Sequence, residues 1–220
     1  HHDELLDAAA AGFRAVVYKD HYYAGMAHAA ILEKLFPESG VTLRSGIVLN
    51  NASGGINPHA VDHTLRLGGV IVWMPTLSAA NHLDAVASGK AGTFPATKQK
   101  MLPPVPLRAT GADGRLTDAV LAVLDLIAEA NVILAGGHLH VREQHLLFAE
   151  AKRRGVRKML VNHPTYIVDF GDEDIRQLAA QGVMMEHSIC MFVDGRSRKF
   201  SPADLAHLIG LAGADRTILS

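Results

Sequence analysis

The sequence predicts an α/β protein with a parallel sheet, and within that class a TIM-type (β/α)8 barrel. Short, nearly continuous apolar runs alternate with segments whose apolar residues recur every three or four positions, a pattern typical of buried parallel strands separated by helices. Seven strands and seven helices alternate strictly, opening on a helix and closing on a strand. This count fits a barrel that lacks strand 1 and the final helix, with a doubly wound sheet as the alternative.

The predicted helices each place apolar side chains on one face. They cover residues 3–12, 24–36, 57–67, 116–130, 142–154, 172–181 and 202–212. The last helix has the clearest start, with Ser201 as N-cap, Pro202 at the first helical position and Asp204 in the first turn. The predicted strands cover residues 13–19, 41–50, 68–75, 131–138, 156–163, 182–192 and 216–220.

One long connection interrupts this alternation. Residues 77–115 are rich in Gly, Pro, Ser and Lys and follow the third predicted strand, which is strand four of a full barrel. We expect a lid-like loop on the face where barrel enzymes keep their active sites. Residues 1–220 then form a single barrel domain, and because a full barrel takes about 250 residues, we expect them to be part of a longer chain.

Composition excludes several classes of partner. The chain has 220 residues, a formal net charge of −1 and a single cysteine, Cys190. This charge gives no reason to expect nucleic acid or an anionic membrane as a partner, and one cysteine cannot form a disulfide framework. No apolar run reaches the length of a membrane span, and no signal peptide is visible. We expect a cytoplasmic protein that binds a small molecule, and a homo-oligomer stays open.

Polar side chains cluster where the predicted strands end, and five of the chain's thirteen histidines are among them. In chain order they are Lys19, Asp20 and His21; Asn50 and Asn51; His138 and His140; Asn162 and His163; Glu186 and His187. In a parallel barrel these ends converge on one face. Imidazoles and carboxylates are the usual ligands of zinc, manganese and iron, so the pattern predicts a divalent metal site, with zinc favoured.

Several of these side chains also have simpler explanations. Lys19 could lie at the surface, or form a Schiff base as in barrel aldolases. His21 could simply pair with Asp20, and His140 could merely precede the next helix. Residues Glu186 and His187 point to opposite faces of one strand, so only one of them is expected to face the barrel interior.

The amides of Asn50 and Asn51 could only make turns, with substrate contact as the alternative. His138 follows two glycines, which allow backbone and ligand to approach closely. His163 precedes Pro164, which ends the strand and restricts the backbone there. These two histidines are therefore the preferred candidates for a site.

Two long stretches carry a family resemblance. "GGHLHVREQHLLFAEAKRRGVRKMLVNHP", followed by "MEHSI" and "SPADLAHLIGLAGADRTILS", resembles a group of uncharacterised metal-dependent hydrolases of the amidohydrolase superfamily. "VVYKDHY" and "GIVLNNASGGINPHAVDHTLRLGGVIVWMPT" are similar to the same group. The resemblance implies a (β/α)8 barrel with one or two divalent metals, in which His138 and His163 match the histidines of strands five and six.

The chain departs from this superfamily pattern in four ways. No His-x-His pair stands at the end of a first strand, and Ser220 comes before the expected aspartate of strand eight. Lys19 does not fall on strand four, where the superfamily's carboxylated lysine stands. His140 stands where a small polar residue is expected in relatives.

We therefore predict a metal-dependent hydrolase that uses a metal-activated water on an amide, ester or lactone. His138 and His163 are the first predicted ligands, followed by His21, His187 and His140. Lys19 and Glu186 are the predicted catalytic side chains, and Asn50, Asn51 and Asn162 the predicted substrate contacts. The alternatives are a decarboxylase or other lyase on the same metal barrel, a metal-independent Schiff-base lysine enzyme, and a non-catalytic binding barrel.

Overall fold

The computed structural model describes residues 2–91 and 102–220, with the backbone alone for residue 2. The strands are β1 (Ala15–Tyr18), β2 (Thr42–Val48), β3 (Ile71–Trp73), β4 (Ile133–Ala135), β5 (Lys158–Asn162), β6 (Met184–His187) and β7 (Thr217–Leu219). The helices are α1 (His2–Ala10), α2 (Met26–Leu35), α3 (Pro58–Arg66), α4 (Ala80–Ala87), α5 (Asp118–Ala130), α6 (Val141–Arg153), α7 (Asp172–Ala180) and α8 (Pro202–Ala212). All fourteen predicted elements are therefore present.

The seven strands form one sheet, in which every neighbouring pair is parallel and the spatial order equals the chain order. A doubly wound sheet would reverse its strand order at a switch point, and this sheet does not. Consecutive crossovers of one hand place the helices on one face, so the sheet curls into a half-barrel of TIM type. Within the described residues β1 and β7 are its edges, and the predicted absence of a first strand stays a prediction.

The two faces of the sheet bury different apolar sets. On the helix-covered face, Leu134, Val161 and Met185 belong to the large core cluster. On the inner face, Trp73 and Leu160 belong to a separate, smaller cluster. Because side chains alternate along a strand, these assignments also fix the direction of the polar residues that follow them.

Helix α8 begins as the sequence predicts. The Ser201 hydroxyl accepts a hydrogen bond from the Asp204 backbone N–H at 3.1 Å, and the Asp204 carboxylate accepts one from the Ser201 backbone N–H at 2.7 Å. This reciprocal capping box satisfies two backbone donors that the first turn would otherwise leave unpaired. Leu205 and Leu208 then pack into the helix-side core.

The connection 77–115 is not a loop throughout, which corrects the prediction. It contains α4, and residues 78–80 bond to Leu107 through two backbone hydrogen bonds of 2.8 Å. Residues 92–101 of this connection lie outside the described residues. A role as a lid stays a prediction. None of the helices in the described ranges is both long and apolar enough to span a membrane.

Candidate functional site

A row of three histidine rings ends at a carboxylate, at the carboxyl ends of β4, β5 and β6. His82 Nδ1 lies 2.9 Å from His138 Nδ1, and His138 Nε2 lies 3.0 Å from His163 Nε2. His163 Nδ1 lies 3.4 Å from Glu186 Oε2. The first two rings are nearly parallel, while the second and third meet edge to face. The predicted meeting of His138, His163 and Glu186 is thus present, with His82 added.

Glu186 is held as an ionised acceptor. Its Oε1 accepts hydrogen bonds from the hydroxyls of Ser188, at 3.0 Å, and Ser220. Its Oε2 lies 3.2 Å from Asn162 Nδ2 and 3.3 Å from the His163 backbone N–H. Burial alone would raise the pKa of Glu186, but the hydrogen bonding and charge of His163 and the two hydroxyls hold it at about 2. The carboxylate is therefore charged and fully surrounded by donors.

This charge orients the neighbouring rings. Burial, reinforced by the neighbouring His163 and Lys19, lowers the pKa of His138 well below its ordinary value, so its imidazole is neutral and carries one proton. A carboxylate only accepts hydrogen bonds, so it favours a proton on Nδ1 of the adjacent His163. The donor and acceptor roles in the contacts of His138 with His82 and with His163 depend on the tautomers of these rings.

The two Nε2 atoms are the best metal donors in the site. Zinc–imidazole bonds are about 2.0–2.1 Å long, so one ion could reach both His138 and His163 at their 3.0 Å separation. The donor type is also correct, because the His138 imidazole is neutral. Across residues 2–91 and 102–220, no group of three His, Cys, Asp or Glu side chains is arranged to hold a metal ion. The pair could therefore supply two of the ligands of a metal ion.

Lys19 and His21 line the same face from the end of β1. Lys19 Nζ lies 5.4 Å from the centroid of the Trp73 ring, which marks the inner face of the sheet. Burial lowers the pKa of Lys19 to about 8, although the charge of Glu186 opposes this. His21 Nδ1 lies 3.0 Å from Thr76 Oγ1, and burial together with the Lys19 charge lowers its pKa to about 4.

The Asn50 side chain, a predicted substrate contact, uses its hydrogen-bonding capacity within the protein. Its Nδ2 donates to the His21 carbonyl at 3.1 Å and to Thr76 Oγ1 at 2.8 Å. Its Oδ1 accepts from the backbone N–H groups of Thr76 and Ser78. An amide has two donor hydrogens and two acceptor lone pairs, so none remains. Asn50 instead clamps the ends of β1, β2 and β3 together.

The side chain of Asn51 also bonds within the protein. Its Nδ2 and Oδ1 pair with the backbone carbonyl and N–H of Val105, at 3.1 and 2.9 Å. Asn51 thus ties the long connection to the end of β2. Asn162 lies inside the site, where it accepts from the Gly137 N–H at 3.3 Å and donates to Glu186.

Two predicted metal ligands lie elsewhere. His140 is the N-cap of α6, and its Nδ1 accepts from the Arg142 backbone N–H at 3.2 Å. His187 follows Glu186 on β6 and therefore points to the helix-covered face, where its ring meets Phe192 edge to face. Both nitrogens of this buried ring lack a hydrogen-bond partner within the described chain. Helix capping therefore explains the position of His140, and strand alternation explains that of His187.

The sequence reasoning missed the contribution of α4. His82 is buried against His138, and Asn81 Nδ2 donates to the His138 carbonyl at 3.2 Å. The spacing of Leu83 and Val86 could have indicated a helical turn within the predicted loop. A helix there would have placed His82 among the candidates, since it follows a strand end on the same face.

Comparison with known proteins supports the assignment of the fold and gives no evidence about the chemistry. A family model described as "Family of unknown function (DUF6282)" matches residues 1–186. The structure resembles an amidohydrolase from Pseudomonas aeruginosa, with a TM-score of 0.51 and 11% identity over 94% of this chain and 55% of that chain. It also matches a D-psicose 3-epimerase with D-tagatose from Clostridium cellulolyticum H10, with a TM-score of 0.47 and 12% identity over 99% and 78% of the two chains.

No curated protein matches the sequence. The chain spans about 55% of the length of the amidohydrolase that it resembles. At 11% identity this likeness concerns the fold, and the chemistry has to be argued from the site itself.

Proposed function

The chain belongs to DUF6282, a family of unknown function, and we propose that it is a metal-dependent hydrolase acting on a small molecule. The observation that carries the proposal is the His138–His163 pair, whose Nε2 atoms face each other at 3.0 Å at the ends of neighbouring strands. These atoms would hold a divalent cation, with zinc favoured over manganese or iron, and further ligands would complete the site. The proposed substrates are an amide, ester or lactone.

A cation held there would supply Lewis acidity toward the substrate carbonyl and toward water. The chain's own groups would then orient it. Binding through Nε2 requires that the single proton of His138 stand on Nδ1, from which it would donate to His82. His82 is thus a positioning residue for the ligand, comparable to the partners that metal-bound imidazoles usually have.

Glu186 would act through His163. With a pKa of about 2 it does not take up a proton at neutral pH, so it is a poor general base. Its charge keeps the proton of His163 on Nδ1 and leaves Nε2 free to bind. The earlier interpretation of Glu186 as a catalytic group therefore becomes one of a positioning residue, while Lys19 faces the space where the substrate would lie.

Metal content tests the proposal directly. The full-length protein, stripped with chelator, would be titrated with Zn²⁺, Mn²⁺ and Fe²⁺ and analysed for bound metal after desalting. We expect near-stoichiometric binding that is lost in His138→Ala and His163→Ala. His145→Ala is the matched control, because His145 lies on α6 and pairs with Asp174 at 2.8 Å. A folded protein that binds none of the three ions would refute the metal-dependent hydrolase.

A Schiff-base enzyme is the second candidate, because Lys19 is an amine with a lowered pKa in the same site. Borohydride reduction with a carbonyl substrate would then trap an adduct on Lys19. A decarboxylase or other lyase on the metal barrel would instead be recognised by analysing the products of carboxylated substrates.

A further inference from the structure

Lys19 is a cation with no counter-ion in contact. Its side chain is partly buried, and its ammonium faces the Trp73 ring at 5.4 Å. Among the described residues, no oxygen accepts a hydrogen bond from Nζ and no carboxylate lies within 4.0 Å of it. Residues 92–101 contain no aspartate or glutamate. No carboxylate within residues 2–91 and 102–220 therefore pairs with this ammonium.

The charge of the Glu186 carboxylate raises the pKa of Lys19, yet this carboxylate does not contact the ammonium. Its two oxygens already accept from Ser188, Ser220, Asn162 and the His163 backbone. These donors surround the carboxylate and hold it against β5 and β7. Three donor hydrogens of the Lys19 ammonium consequently have no protein acceptor among the described residues.

An ammonium without acceptors is costly where water is partly excluded. Such an arrangement becomes favourable when an anion arrives, because one ion pair then satisfies both the charge and the donors. The position of Lys19, on the inner face beside the histidine row, places that anion within the candidate site.

We propose that Lys19 binds a carboxylate of the substrate, so that the site acts on a small organic acid that also carries the hydrolysable bond. This inference rests on the proposed function. A carboxylate is preferred to a phosphate because Lys19 offers a single ammonium, and a second negative charge would be repelled by the Glu186 carboxylate on the same face of the sheet. The Lys19 ammonium would neutralise a monoanion, whereas a dianion would keep one negative charge.

The test compares three probes of one shape, benzoate, benzamide and phenyl phosphate, by isothermal titration of the full-length protein. We expect benzoate to bind and benzamide to bind at least about tenfold more weakly, as expected for loss of a charged pair. Lys19→Met should weaken benzoate by a similar factor and Lys19→Arg should restore part of it. Lys158→Met is the matched control, because Lys158 begins β5 at the opposite end of the sheet and donates to the Asn131 carbonyl.

Repeating the titration in chelator separates the two proposals. Benzoate binding that survives chelator and depends on Lys19 supports the inference, even if the protein proves to bind no metal. Benzoate binding that is lost in chelator and in His138→Ala, but unchanged in Lys19→Met, would overturn it and assign the carboxylate to the metal. Binding of phenyl phosphate as tight as that of benzoate would overturn the carboxylate class.

Discussion

The carboxylate of Glu186 should make the stability of the protein depend on pH in a defined window. The perturbation is Glu186→Gln, which keeps the shape of the side chain and removes its charge. Glutamine retains one acceptor oxygen, but it replaces the other with an amide group that faces the donors of Asn162 and the His163 backbone. The substitution therefore imitates the protonated carboxyl within an otherwise unchanged site.

The size of the effect follows from the pKa. Glu186 has a pKa of about 2 in the folded protein against an ordinary value of 4.5. At 1.36 kcal/mol per pH unit, this difference is worth about 3 kcal/mol. No discount for solvent is needed, because the side chain is only 9% exposed. Since the folded pKa is the lower one, this stabilisation is complete above pH 4.5 and is lost as the pH falls toward 2.

Urea unfolding of both proteins at a series of pH values measures this difference. It should be carried out in chelator, so that bound metal does not contribute. We expect Glu186→Gln to be less stable by about 3 kcal/mol at pH 7, with the two proteins converging as the pH approaches 2. A difference that stays constant between pH 6 and pH 2.5 would show that the loss comes from packing and would refute the electrostatic reasoning.

Two further predictions concern the backbone. At Gly137, where φ is +61°, a Cβ would lie 2.3 Å from the Met74 carbonyl oxygen, so Gly137→Ala should cost about 2 kcal/mol or more in urea unfolding. Gly155→Ala is the control, because at φ +87° no atom lies within 4 Å of the new Cβ, and it should lower the free energy of unfolding by about 1 kcal/mol. Equal losses in the two variants would argue against a clash at Gly137. Ser201→Ala should lower the free energy of unfolding by about 1 kcal/mol, measured by thermal unfolding, because the helix loses its N-cap acceptor. Ser201→Asp should recover most of this loss, and no recovery would contradict the capping role.

The fold was predictable because each element depends on a local pattern. The apolar runs of the strands are long enough to be recognised, and the start of α8 at Ser201 is coded by three neighbouring residues. α4 was missed because its eight residues, "ANHLDAVA", contain few large apolar side chains and lie in a segment rich in glycine and proline. Its position depends instead on bonds to distant residues, such as that between Ala80 and Leu107.

The site was predictable only in part. The convergence of strand ends brought Lys19, His138 and His163 to one face, as expected for parallel strands. The register of β6 decided between Glu186 and His187, and that register comes from pairing Asn162 with Glu186 across the sheet. No local pattern in the sequence carries this information. The N-cap role of His140, by contrast, is local, and the sequence reasoning gave more weight to its neighbour His138.

The helix that the sequence reasoning missed joins the site to the long connection. Asn81 donates both to the His138 carbonyl and to the Ile167 carbonyl, at 3.2 and 3.1 Å, while His82 bonds to the His138 ring. Ile167 adopts a φ of +70°, which is unfavourable for a β-branched residue, and it is held there by packing against Ala85 and Ala91. Movement of α4 would release this strained backbone and both contacts to His138 together. The connection that follows β3 therefore sets the orientation of His138.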